Sequence, residues 1–235
     1  MSICVSTETT TDTHTCRYCE KSFRRPESLA VHLCENKKRY QEEKEPGVQI
    51  GLQSYLRFYE TTQGSAKLKT YDDFVKSPYY RAFVKFGRYC VAIRAINVPR
   101  LVDWLLKNNK KLDHWCRDSV YGEYLFDYLR QENVNDALSR AIEQSISWAE
   151  TTGNPDRDYL RYGNDNTVCH AITVGRISAW VLYHCESGME FLARLNPEQV
   201  AMTWPFIDAD FWAKKFRDYP ADAEYAREML AKAGW

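Results

Sequence analysis

Apolar residues recur along most of this chain at the three- and four-residue spacing of an amphipathic helix, and polar capping residues punctuate the repeats. Ile50, Leu52, Tyr55, Leu56 and Tyr59 form one stripe that ends near Gly64. Thr70, followed by acidic Asp72 and Asp73, reads as the N-cap of a short helix. Ser77-Pro78 predicts the start of a helix running to about Ile96, because proline suits the first helical position. On that helix Tyr79, Ala82, Phe83, Phe86, Cys90 and Ile93 share one apolar sector. Asn97 caps the next stripe, which carries Leu101, Trp104 and Leu105. Residues 118–131 and 134–151 are long periodic segments, and Gly153-Asn154-Pro155 breaks the pattern. Thr167 to Gly175 suits either a short helix or one strand of a small hairpin with Ile177. Ser178 starts a further helix, and Asn196-Pro197, Asp208 and Pro220 open the last three.

The first forty residues break this rhythm with a different chemistry. Cys16 and Cys19 are two residues apart, His32 follows after twelve more, and Cys34 comes two later. That spacing predicts a zinc site, with Phe23 and Leu29 as the small apolar core of a ββα finger. So short an element cannot bury enough surface to fold unaided, so the metal must supply most of its folding free energy. Residues 16–32 resemble the Cys-Cys-His-His zinc finger of nucleic-acid-binding proteins. The likeness stops at His32, because Asn36, Lys37 and Lys38 stand where a second histidine is due. Cys34 is the nearest substitute, and His14 or water are the alternatives. Side chains two apart on a helix diverge by about 200°, so Cys34 reaches the metal only if the helix ends near His32.

The resemblance places His32 at the seventh helix position and the base-facing positions at Arg25, Ser28 and Val31. Arg25 could pair with guanine, Ser28 is permissive, and Val31 could touch only a thymine methyl. One such finger spans about three base pairs and needs help from the rest of the chain.

Net charge is zero over 235 residues, but the charges are segregated. Residues 46–130 carry fourteen basic and eight acidic side chains, and residues 131–235 carry ten and sixteen. That asymmetry suggests either an anion-facing surface or complementarity within the chain. Arg81, Lys85 and Arg88 lie opposite the apolar sector of their helix, and Lys37, Lys38 and Arg39 follow the finger directly. All six are candidate phosphate contacts, with Lys67, Lys69, Arg94, Arg100, Lys107, Lys110 and Lys111 in flanking segments.

Other chemistry is thinly represented. His114 and Cys116, Cys169-His170 and His184-Cys185 contain metal-ligand types, but close neighbours point apart. Asp208 and Asp210 read as a helix cap and acidic first turn. No phosphate loop or nucleophile elbow occurs, so no enzyme is expected. No apolar run is long enough to span a membrane, and residues 1–15 read as a flexible leader without the apolar block of a signal peptide. Eight scattered cysteines suit a reducing cytoplasm.

The expected organisation is a mostly α protein: leader 1–15, ββα zinc finger 16–36, charged linker 37–47, and an all-α domain 48–235 with room for one small hairpin and a subdivision near 153. Further along, Ser77-Pro-Tyr-Tyr-Arg-Ala-Phe-Val-Lys-Phe-Gly87, Lys111-Leu-Asp-His-Trp115 and Gly175-Arg-Ile-Ser178 join the cysteine pattern in resembling uncharacterised zinc-finger proteins of large tailed bacteriophages. That likeness implies a host cytoplasm and a part in phage DNA or RNA metabolism, without a mechanism. The expected function is zinc-dependent nucleic-acid binding, with DNA ahead of RNA. The alternative is an adapter whose finger docks a replication or transcription protein.

Overall fold

The computed structural model describes residues 13–64 and 69–235. Cys4, Lys67 and most of the expected leader lie outside the described residues. The described chain is mostly helical, with one two-stranded hairpin near its start. It divides into two compact units, one ending at Cys116 and one spanning Arg117–Trp235.

The first unit opens with β1 (His14–Thr15) and β2 (Ser22–Phe23), paired antiparallel with His14 opposite Phe23. Then come α1 (Pro26–Ala30), α2 (Glu35–Gln41), α3 (Pro46–Gln63), α4 (Tyr71–Lys76), α5 (Tyr80–Ala92) and α6 (Val98–Lys107). The segment expected to be a charged linker therefore holds α2 and the start of α3. Pro46 occupies the first turn of α3, where its missing N–H costs nothing, so Pro46-Gly47 starts a helix and does not close a linker.

Helices α3 and α5 form the centre of this unit by touching backbone to backbone. A Cβ on Gly87 would overlap the carbonyl oxygen of Gly47 and lie 2.7 Å from the nitrogen of Gly51. A Cβ on Gly51 would lie 2.8 Å from the carbonyl oxygen of Phe83. Only glycine allows this approach. Around the contact Phe74, Phe83, Phe86 and Trp115 are buried, each ring worth about 1.5–3 kcal/mol of transfer free energy. The buried face of α5 is broader than its sequence predicts and includes Tyr80, Val84 and Gly87. Tyr79, expected inside, is 51% exposed, because the helix begins one residue after it. The helix also stops at Ala92, short of Ile96, and Arg94 turns the chain at φ 49°.

The second unit runs through α7 (Asp118–Gln131), α8 (Val134–Thr152), α9 (Tyr159–Tyr162), α10 (Asp165–Thr173), α11 (Ala179–Leu182), α12 (Glu186–Ala193), α13 (Pro197–Ile207), α14 (Ala209–Asp218) and α15 (Pro220–Ala233). Gly153, at φ 76°, ends α8 in a left-handed cap inside this unit. The ambiguous stretch from Thr167 is helical: the Asn164 side chain accepts from the Asn166 and Thr167 amides and starts α10. Its core packs Leu138, Tyr159, Ile172, Trp180, Phe191 and Trp212. Within it Glu132 is a buried carboxylate that accepts hydrogen bonds from Ser178 at 2.7 Å and from Arg140. Burial pushes its pKa up, and the Arg140 charge opposes that rise. Among the described residues no helix is long and apolar enough to cross a membrane.

Candidate metal centre and its surroundings

Cys16 leaves β1 and enters a tight turn that Glu20 closes at φ 60°, its amide donating to the Cys16 carbonyl at 2.8 Å. The Cys16 amide donates to the Lys21 carbonyl at 2.9 Å, which fixes the base of the turn. Both sulfurs of the Cys-x-x-Cys pair thus face the same side. Burial would raise the Cys16 thiol, but the Tyr18 and Cys19 amides that donate to it hold its pKa below the ordinary value. Amide donors of this kind stabilise a thiolate, the form a metal binds.

Helix α1 ends at Ala30, and Val31 is its C-cap. His32 therefore lies beyond the helix and not at its seventh position, which corrects the finger-like expectation. The reason lies in the ligands, since His32 and Cys34 can share one metal only on non-helical backbone. Cys34 is extended, at φ −90° and ψ 163°, and serves as the N-cap of α2, its sulfur accepting from the Lys37 amide at 3.3 Å. The Phe23 ring supports the imidazole, with centroids 4.7 Å apart.

The ligand atoms of Cys16, Cys19, His32 and Cys34 all lie within 4.8 Å of one another. Cys16 Sγ is 4.0 Å from Cys34 Sγ, and Cys19 Sγ is 3.3 Å from His32 Nε2. A tetrahedral zinc with ordinary Zn–S and Zn–N bonds separates two sulfurs by about 3.8 Å and a sulfur from a nitrogen by about 3.6 Å. These two separations are close to those values, and the cluster can hold a metal ion. The fourth position falls to Cys34; His14 pairs in the hairpin and is outside the cluster. The His114, Cys116, Cys169, His170, His184 and Cys185 residues form no such cluster among the described residues. His184 instead stacks on Trp180, and Cys185 donates to the Val181 carbonyl.

The basic residues around the centre have acquired partners. Arg39 is largely covered, donates to the Val75 carbonyl at 2.5 Å and lies 4.4 Å from the Tyr80 ring centroid. Lys37 donates to the His32 carbonyl at 3.1 Å, and Lys38 pairs with Glu42 at 3.9 Å. Arg81 pairs with Glu35 at 3.2 Å, and Arg88 holds Glu45 through two hydrogen bonds and approaches Glu42. Arg81 and Arg88 depress the carboxyl pKa values of Glu35 and Glu45. The face of α5 that looks purely basic in sequence is thus matched by the acids of α2 and the turn after it. Lys85 remains exposed between the two pairs. Arg25 and Ser28 are exposed, one as the N-cap of α1 and one within it. At five residues α1 is about 7.5 Å long, too short to lay three base-reading positions along a groove.

Sequence reasoning missed these acidic partners because pairs such as Glu35 with Arg81 lie 46 residues apart. It also missed Leu33, 62% exposed, and read Val31, 84% exposed, only as a base contact; the two flank His32 in sequence. Their non-periodic position was the available signal. No family model matches the chain, and no curated protein or solved structure matches it.

Proposed function

We propose that Cys16, Cys19, His32 and Cys34 bind one zinc ion as a structural centre, and that the knuckle it fixes docks another protein. Four protein ligands leave no open position for a substrate, which fits a structural and not a catalytic role. The observation that carries the docking role is the exposure of Val31 and Leu33 on either side of a metal ligand. The sequence likeness to tailed-phage proteins suggests a partner from a replication or transcription complex in a host cytoplasm.

A second reading, phosphate binding with little sequence preference, keeps support from Lys21, Arg24 and Arg25, which are exposed on the knuckle, and from Lys85. It is narrower than the sequence suggests, because Arg39, Arg81 and Arg88 are engaged within the protein.

Salt separates the two. Zinc-loaded protein should show no DNA binding at about 50 mM salt, and a pulldown from native cells should keep its partner after nuclease treatment. Val31→Ser with Leu33→Ser should lose that partner and keep the zinc. DNA affinity that collapses between about 50 and 200 mM salt would instead establish the phosphate reading.

A further inference from the structure

The second unit contains a cavity of about 540 Å³, within the range of small-molecule sites. It lies where the end of α7 meets α11, α14 and α15. Aromatic Trp180, Phe211 and Tyr219 line it together with Arg130, Lys214 and Lys215.

Arg130 is the unusual member. Its guanidinium carbon lies 3.9 Å from the Phe126 ring centroid and 4.3 Å from that of Phe211. Its Nε is buried without a hydrogen-bond partner, and no carboxylate among the described residues pairs with it. Arg140, Arg161 and Arg194 of the same unit each hold a carboxylate. A planar cation clamped between two rings with its buried Nε–H unspent is a preorganised receptor for an oxyanion.

Lys215 adds a second cation. Its Nζ donates to the Arg130 carbonyl and faces the Trp180 and Trp212 rings, 5.4 and 4.9 Å from their centroids. Burial lowers its pKa. The nearest interior acid, Glu132, has both oxygens engaged by Ser178 and Arg140. Trp180, 1% exposed, has an indole N–H with no acceptor, so the polar interior here is incomplete without a further group. Asp218 and Asp222 line the opposite charge into the same cavity. They disfavour a polyanion such as nucleic acid and suit a ligand of single negative charge.

We propose that this cavity binds a small organic monoanion with a planar apolar body, its oxyanion held by Arg130 and Lys215 and its body against Phe211 and Trp180. The site is independent of the metal centre and of the docking role.

The probes are 2-naphthoate and its uncharged match 2-naphthamide, followed by calorimetry and tryptophan quenching on the full zinc-loaded chain. Naphthoate should bind one per chain, about tenfold or more tighter than naphthamide. Arg130→Met should remove that preference and leave naphthamide binding unchanged. Lys214 is exposed, so Lys214→Gln should fold normally and weaken naphthoate about threefold. Equal affinity for the two probes, or no naphthoate binding at millimolar concentration, would overturn the proposal. So would unchanged naphthoate binding in folded Arg130→Met or, should that variant not fold, in Lys214→Gln.

Discussion

Between His14 and Cys34 only Cys16 is buried, and it is a metal ligand. From Arg117 onward, Tyr124, Tyr159, Trp180, Phe191 and Trp212 are all within about one per cent of complete burial. Both stretches hold a defined backbone, by opposite means. The knuckle has two-residue strands and a five-residue helix, none stable in isolation, and four metal-ligand atoms within 4.8 Å of one another. The second unit has no such cluster among its residues and relies on side-chain volume. The one cluster able to hold a metal among the described residues lies at one end of the chain. The loss of metal and the loss of core packing should therefore be separable events.

The sharpest way to break that contrast is to remove the metal. Structural zinc sites contribute an apparent 10–16 kcal/mol of binding free energy near neutral pH. Chelation, or Cys16→Ser, should melt the hairpin and α1. Because Cys34 is also the N-cap of α2, the first turn of that helix should fray as well. Amide exchange should rise across residues 14–37 and stay unchanged beyond Arg117. Loss of protection throughout the second unit would mean that its fold also depends on the metal.

A smaller effect comes from the glycine contact. Gly87→Ala drives a methyl group into the Gly47 carbonyl, and neither backbone can yield without moving α3 off α5. The cost should exceed about 4 kcal/mol, a size reserved for identifiable structural lesions. Urea titration should show the first unit unfolding early and the second at its wild-type midpoint. The knuckle should still take up one zinc by mass spectrometry, since its four ligands lie outside α3 and α5. A midpoint unchanged in the first unit would show that the two helices do not touch as described.

The smallest effect concerns the carboxylates on α2 and its following turn. Glu35 and Glu45 have folded pKa values below 4.5, their ordinary value, because Arg81 and Arg88 donate to them. A depressed carboxyl adds stability that is complete above its unfolded pKa and lost as pH falls through the folded one. The first unit should therefore lose a modest increment below pH 4.5. Protonation also expels zinc, so the comparison is with Glu35→Gln and Glu45→Gln, in which that increment should be absent at every pH. Both proteins should release zinc at the same pH, and identical acid profiles in the two would show that the ion pairs contribute nothing.

Local signals in the sequence were enough for most helix starts and for most of the site. Thr70, Ser178, Asn196 and Asp208 each accept hydrogen bonds from amides of the helix they open, as their residue types predict. The Cys-x-x-Cys turn and His32 follow from spacing, and Cys34 follows once the helix is required to end. Pairings across long separations were not legible. Arg81 and Arg88 read as an open basic face because their acids come from Glu35, Glu42 and Glu45 on a different element. Gly47 read as the end of a charged linker, because a glycine demanded by a neighbouring helix looks the same as one demanded by a turn.

That glycine contact also limits how this chain can change over time. Gly51 and Gly87 are each held small by the main chain of the facing helix, and main chain cannot be mutated to make room. No compensating substitution exists at a partner position, so the usual two-step exchange of a larger residue for a smaller one is closed here. Descendants of this sequence can vary the aromatic rings around the contact, trading volume among Phe74, Phe83 and Trp115. At these two glycines they can only stay as they are or abandon the helix pair, whereas Gly47 meets the Arg88 side chain first. In any collection of relatives, these positions should be the slowest to drift outside the metal ligands.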